Sequence, residues 1–173
     1  MSTSTWRHLA ARLIDYLTSS ALDGDERTAV QNWLRPGEAA PFFAQSRADQ
    51  RHGREAALGV QVAQPERTDL IRAALLHDIG KRHSRVGAIA RSIISAWAKV
   101  GGRVRGRAAT YLDHGPLGAD ELALLGAEEL VIDFARHHHS ARPPSISAAD
   151  WALLQQADSP RRKTPGARRE ARQ

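Results

Sequence analysis

Cysteine is absent from this chain. No disulfide, thiolate nucleophile or cysteine-ligated zinc site can form. The absence fits a reducing compartment, and the expected location is the cytoplasm. Aromatic residues make up only 5% of the chain. Valine, isoleucine and threonine do not gather in alternating runs, so the pattern a strand requires is missing. No apolar run approaches the roughly 18 residues of a membrane-spanning helix, and the N-terminus lacks a charged-then-apolar leader pattern. Alanine, leucine and arginine are plentiful instead, and they favour helix. A chain of 173 residues suffices for one domain with a substantial core. The formal charge is +6, and residues 161–173, with six basic residues and one acid, supply +5 of it. The expectation is a basic, disordered tail on a nearly neutral body rather than a basic groove across the fold. Such a tail could touch nucleic acid or an acidic partner, but nucleic acid is not the favoured partner.

Apolar spacing and capping residues divide the chain into about eight helices. Trp6, Leu9, Leu13, Ile14 and Leu17 mark the first, over 5–20, with Thr5 as its cap. A short second helix covers 25–34. Pro41-Phe42-Phe43 opens a segment leading into a helix over 46–64 that carries His52. The next runs from Thr68 or Asp69 to Ile79, with Gly80 as a left-handed residue after its end. An amphipathic helix over 85–99 places Val86, Ile89, Ile93, Ile94 and Trp97 on one face. Short helices follow over 107–112 and from Pro116 to Leu125. Another over 127–139 turns Leu130, Val131, Phe134 and Ala135 inward, and a last one begins behind a Ser147–Asp150 capping box. Trp6, Trp33, Trp97 and Trp151 are expected in the core, and His8 and His83 on the surface. The domain expectation is an N-terminal helical extension over 1–45, a bundle over 46–159 and the tail over 160–173.

The chemistry concentrates where the apolar run 70–76 ends in His77-Asp78-Ile-Gly-Lys81. Adjacent ionisable groups at the end of a buried helix cost about 2–7 kcal/mol each if left unpartnered. A metal ion satisfies an imidazole and a carboxylate together. Other candidate ligands lie on separate elements: His52, His114, the His137-His138-His139 run and Asp158. Helical bundles build metal sites from side chains contributed in this way by facing helices.

The order His52, His77-Asp78, Asp158 resembles the HD-domain phosphohydrolases, and Leu-Leu-His-Asp-Ile-Gly-Lys81 is similar to their HDIG-type variant. His114-Gly-Pro-Leu-Gly118 resembles the family's His-Pro-x-x-Gly turn, in a slightly different order. Arg136-His137-His138-His139 resembles the Arg-x-His-His segment of members with two metals, with His138 the better ligand and His139 the second. The resemblance covers roughly 49–158. It implies an all-α, single-domain bundle with a metal site between its helices. It implies a first ion on His52, His77, Asp78 and Asp158, and a second on Asp78, His114 and His138, with His139 as a further ligand, about 3.5–4 Å away. Iron, manganese, zinc and cobalt all suit such ligands. The implied activity is hydrolysis of a phosphate ester or anhydride, with a nucleotide as the expected substrate class and water activated by the two ions. Asp78 and Lys81 would be the catalytic residues. Lys81 would contact the phosphate, with Arg51, Arg82, Arg85 and Arg142 as a basic rim. Diadenosine polyphosphate hydrolases of this class have a similar ligand set. The missing Gly-Tyr-Pro segment argues against the cyclic-dinucleotide subgroup. The alternative is a nucleotide-sensing module of the same fold with little turnover.

Overall fold

The computed structural model describes residues 19–99 and 101–159. The helix expected over 5–20, with Trp6 and His8, falls outside them apart from its last two residues, and the tail over 160–173 lies wholly outside. The described residues form ten helices and no strand. They are α1 (Gly24–Trp33), α2 (Ala39–Phe43), α3 (Arg47–Ala63), α4 (Thr68–Leu76), α5 (Lys81–Ser84), α6 (Ala88–Lys99), α7 (Arg107–Leu112), α8 (His114–Leu124), α9 (Glu129–His137) and α10 (Ala148–Asp158). The count exceeds the expected one because Ala39–Phe43 and Lys81–Ser84 are single turns, too short to show a periodicity. None of these helices is long and apolar enough to cross a membrane.

Local chemistry sets the helix starts. Asp23 and Glu26 form a reciprocal capping box before α1. Ser46 accepts from the Asp49 N–H ahead of α3, and Ser147 from the Asp150 N–H ahead of α10. The centre of the bundle is α4. Every residue from 70 to 80 is buried, as expected of a helix covered on all sides. It packs on α1, α3, α9 and α10, and α8 packs on α9. The surrounding core includes Phe42, Val60, Leu122, Phe134, Ile146 and Leu154. One charged residue of α4 is buried with it. The Arg72 guanidinium is paired with the buried Glu38 and with Glu128, which answers the cost of burying a cation.

Three readings of the sequence need correction here. Helix α4 stops at Leu76, and residues 77–80 follow as tight turns, with the Ile79 N–H donating to the Leu76 carbonyl at 3.0 Å. Gly80 is not left-handed; its φ is −68°. Its role is close approach. A Cβ there would stand 2.0 Å from the His114 carbonyl oxygen and 2.7 Å from the Gly118 nitrogen, so only glycine lets the turn meet the first turn of α8. That helix starts at His114 rather than Pro116, and the proline falls in the first turn, where a missing N–H forfeits no helical bond. The third correction is Trp97. It is 55% exposed, as Ile93 is 63% exposed, because α6 turns other residues toward the bundle. Trp33 and Trp151 pack against the core as expected.

Candidate metal centre

Five segments meet at the end of α4. His52 comes from the second turn of α3, His77 and Asp78 from the turn after α4, and His114 from the start of α8. His138 and His139 follow α9, and Asp158 is the last residue of α10. They fall into two groups, His52, His77 and Asp158 in one, and Asp78, His114, His138 and His139 in the other. Within each, one donor atom per residue lies within 4.8 Å of all the others. Asp158 Oδ1 is 2.9 Å from His52 Nε2 and 3.1 Å from His77 Nε2. Asp78 stands between the groups. Its Oδ2 faces His77 Nε2 at 3.4 Å and His52 Nε2 at 3.8 Å, while its Oδ1 faces His114 Nε2 at 3.4 Å and His138 Nε2 at 3.5 Å. Lys81 contacts Oδ2 through its ammonium. His139 is the exposed member.

The ring orientations follow one rule. His77, His114 and His138 each donate Nδ1–H to the carbonyl three residues earlier, Ala74, Tyr111 and Ala135, at 2.9, 2.7 and 2.8 Å. A carbonyl can only accept, so Nδ1 carries a proton and Nε2 is the atom turned inward, able to give its lone pair to a cation once it holds no proton of its own. This is the outer-shell arrangement that fixes metal-binding imidazoles. Tyr111 also stacks its ring on His114, with centroids 5.7 Å apart and planes 22° from parallel.

The donor set fits divalent cations on three observations. His77 Nε2 and Asp78 Oδ1 are buried without a hydrogen-bond partner, a costly state for any polar atom and more so for a carboxylate. His114 Nε2 and His138 Nε2 meet at 3.3 Å, two lone pairs face to face unless a proton or a cation lies between them. The field of the pocket also calls for positive charge. Burial alone would lower the pKa of His77, but the Asp78 and Asp158 carboxylates outweigh it and raise the imidazole to about 10. Burial likewise works against the Asp78 and Asp158 anions. The charge of His77 outweighs it at both, helped by Lys81 at Asp78 and by the His52 hydrogen bond at Asp158, and both carboxyls are held well below their ordinary range. His138 is pushed down, first by burial, which keeps it a neutral ligand.

The other candidates are placed differently. The Arg51 guanidinium is held by Glu26 at 2.9 Å and by the Ser20 and Ala21 carbonyls. Arg82 pairs with Glu121, and Arg142 donates to the Ile146 carbonyl. His137 turns to Ser140 at 3.2 Å, apart from both groups. Lys81 is the one of the named cations in contact with the cluster. Sequence reasoning passed over Asp49 and Arg91. Asp49 lies on α3 three residues before His52 and takes Arg91 Nη1 on both oxygens, at 2.8 and 2.7 Å. Together they fasten α6 beside the site. The spacing of Asp49 from His52 was a usable signal; nothing in the sequence indicated Arg91 as its partner.

Among curated proteins and among solved structures, no match to the chain was found. A family model does match: the HD domain, over residues 50–168, a span that includes every member of both groups. That span is well over half of the chain, and its His52, His77-Asp78 and Asp158 meet in one cluster of donor atoms that could hold a metal ion. The chain belongs to the HD-domain family, whose type is the metal-dependent phosphohydrolase.

Proposed function

We propose that this protein is a phosphohydrolase with a binuclear metal centre, acting on a phosphate ester or anhydride of a nucleotide. The observation that supports it best is the position of Asp78. One carboxylate oxygen faces His52 and His77, the imidazoles that hold Asp158, and the other faces His114 and His138, as a bridging ligand would. Iron, manganese, zinc or cobalt would suit these nitrogen and oxygen donors. Two such ions would lower the pKa of a water molecule toward neutrality and neutralise charge on a phosphoryl oxygen.

The residues of the chain divide the remaining work. The Nδ1–H bonds of His77, His114 and His138 hold the rings in place, so the site is organised before substrate arrives. Lys81 is a partly buried ammonium beside Asp78, and the Asp78 carboxylate keeps it protonated against the effect of burial. Its three donors can turn to a phosphate oxygen as charge develops there. The exposed His139 marks the side from which a substrate enters.

The test is metal analysis of the purified protein followed by hydrolysis assays on nucleoside mono-, di- and triphosphates and dinucleoside polyphosphates, with manganese, iron and cobalt supplied in turn. Bound metal and metal-dependent release of phosphate are expected. Nucleotide affinity with negligible release would make the protein a nucleotide sensor instead. A protein with neither metal nor turnover would overturn the reading.

A further inference from the structure

Between Lys81 and Leu112 the chain has eight basic residues and no acid. Outside this stretch and the 161–173 tail it has eleven basic and eighteen acidic residues. The body is therefore a basic block, α5 to α7, on an acidic remainder. Three of the eight are engaged with acids of the site or of α8: Lys81 with Asp78, Arg82 with Glu121 and Arg91 with Asp49. Arg85, Arg103, Arg105 and Arg107 are exposed.

The helix within this block turns an apolar edge outward and a polar one inward. Arg91 and Ser95, four residues apart, share the face toward the bundle. Arg91 reaches Asp49, and Ser95 Oγ lies 3.4 Å from the Tyr111 hydroxyl. Ile93 and Trp97, also four apart and on the opposite side, face solvent at 63% and 55% exposure. A helix on a soluble domain shows the reverse arrangement. The loop after α6 is built onto this face. Trp97 Nε1 donates to the Arg103 carbonyl at 3.3 Å, and a Cβ on Gly102 would stand 2.1 Å from that same nitrogen, so the glycine leaves room for the indole. An aliphatic side chain, an indole and a cluster of arginines are thus presented together.

We infer that this face docks on an anionic lipid surface. Helix α6 would lie in the plane of the interface, with Ile93 and Trp97 at the boundary of headgroups and acyl chains and Arg103, Arg105 and Arg107 against the lipid phosphates. Charge and shape favour this occupant over the others. Single-stranded nucleic acid is gripped by stacked aromatic rings, and this face has one ring beside a more exposed isoleucine. A second copy of the chain, paired about a two-fold axis, would set the basic block against itself. The opposite face of α6 is fastened by Arg91 to the helical turn before His52, which puts the metal centre immediately behind the docking face.

The experiment is vesicle flotation with the full-length protein, using phosphatidylcholine alone and phosphatidylcholine mixed with phosphatidylglycerol. Association with the mixed vesicles only, weakened by salt, is expected. Ile93→Gln with Trp97→Gln should weaken it about tenfold or more, and Arg103→Gln with Arg105→Gln should weaken it too. Trp97→Gln also removes the bond to the Arg103 carbonyl, so Ile93→Gln alone, at the more exposed position, is the control: it should weaken association with an unchanged melting temperature. A chain with Arg161, Arg162, Arg168 and Arg169 all changed to Gln separates the face from the tail and should still associate. The inference is overturned by no association with the anionic vesicles, or by association that the Ile93/Trp97 pair leaves intact or that only the tail changes remove. It is equally overturned if these substitutions abolish oligonucleotide binding or dimer formation in a protein that does not bind vesicles.

Discussion

At the scale of single residues, Asp78 separates the two-ion reading from a one-ion reading. Its two oxygens face different groups of imidazoles, so Asp78→Ala should bring bound metal to background, whereas His139→Ala, which removes an exposed ligand of one group, should leave a substantial fraction. Elemental analysis of the two variants and the native protein checks this; equal metal in native and Asp78→Ala protein would remove Asp78 from the coordination shell. Lys81→Met makes the complementary case. It deletes a cation that touches Asp78 without belonging to either ligand group, so metal content should hold while kcat falls by roughly 10²-fold, the usual effect of losing one charge-stabilising donor. The ligands were legible in the sequence because each chemical type stood out locally: a histidine and an aspartate closing an apolar run, three histidines in a row, an aspartate at a helix end. The arginines were not. Arg51 precedes His52 in the chain, but its direction is set by Glu26, twenty-five positions away, and no local pattern encodes such a pairing.

At the scale of elements, α4 carries the largest stability consequence. Its Arg72 is 4% exposed and paired with two carboxylates from α2's leading turn and α9's N-terminus. Arg72→Ala would leave Glu38 buried with the Arg35 backbone N–H but no counter-cation, and should cost about 3–5 kcal/mol of unfolding free energy. Arg82→Ala removes a pair whose partners are both partly exposed and should cost about 1 kcal/mol or less. Urea denaturation of both variants, with chelator present, measures the difference; similar losses would show that burial of the Arg72 pair has no special weight. A second expectation concerns the seat of α8. Gly80→Ala forces a methyl into the His114 carbonyl, so it should weaken metal binding through His114 and His138 more than through His52 and Asp158, read as partial metal loss at constant helicity. The helices themselves were legible through apolar spacing and through local signals such as the Ser147 cap, which act within a few residues. Their ends at tertiary contacts were not. Gly80 looked like a left-handed cap because composition cannot distinguish a glycine needed for φ from one needed for room. Trp97 looked like core because periodicity shows that a face is apolar and not what lies against it.

At the scale of the whole molecule, acid sensitivity follows from how the helices are tied together. Three carboxylates away from the metal centre titrate below their ordinary values. Glu26 is lowered by hydrogen bonds from Arg51, which join α1 to α3. Asp69 is lowered by Arg67, which also reaches Asp150 and so joins the starts of α4 and α10. At Glu128 burial acts upward, but its own backbone N–H and Arg72 outweigh it and lower the group, joining α9 to α4. A carboxylate whose pKa is lower in the folded state adds stability above its unfolded value, 4.5 for Glu and 3.8 for Asp. That stability is lost as pH falls through the folded value, because the unfolded chain binds protons first. Asp78 and Asp158 act with the same sign once metal is removed. The carboxylate ties themselves stay intact from pH 7 down to about 5. Over that range the chelated protein should lose melting temperature only through the lowered imidazoles of His138 and His139, whose unfolded forms take up protons near 6.5. It should lose it more steeply below about 4.5 as the carboxylates follow. Glu26→Gln should start lower at pH 7 and fall less steeply in acid, since one titrating tie is gone. Thermal unfolding by circular dichroism across this range reads both effects. A melting temperature that rose on acidification, or an acid limb identical in native and Glu26→Gln proteins, would mean that these pairs do not hold the helices together.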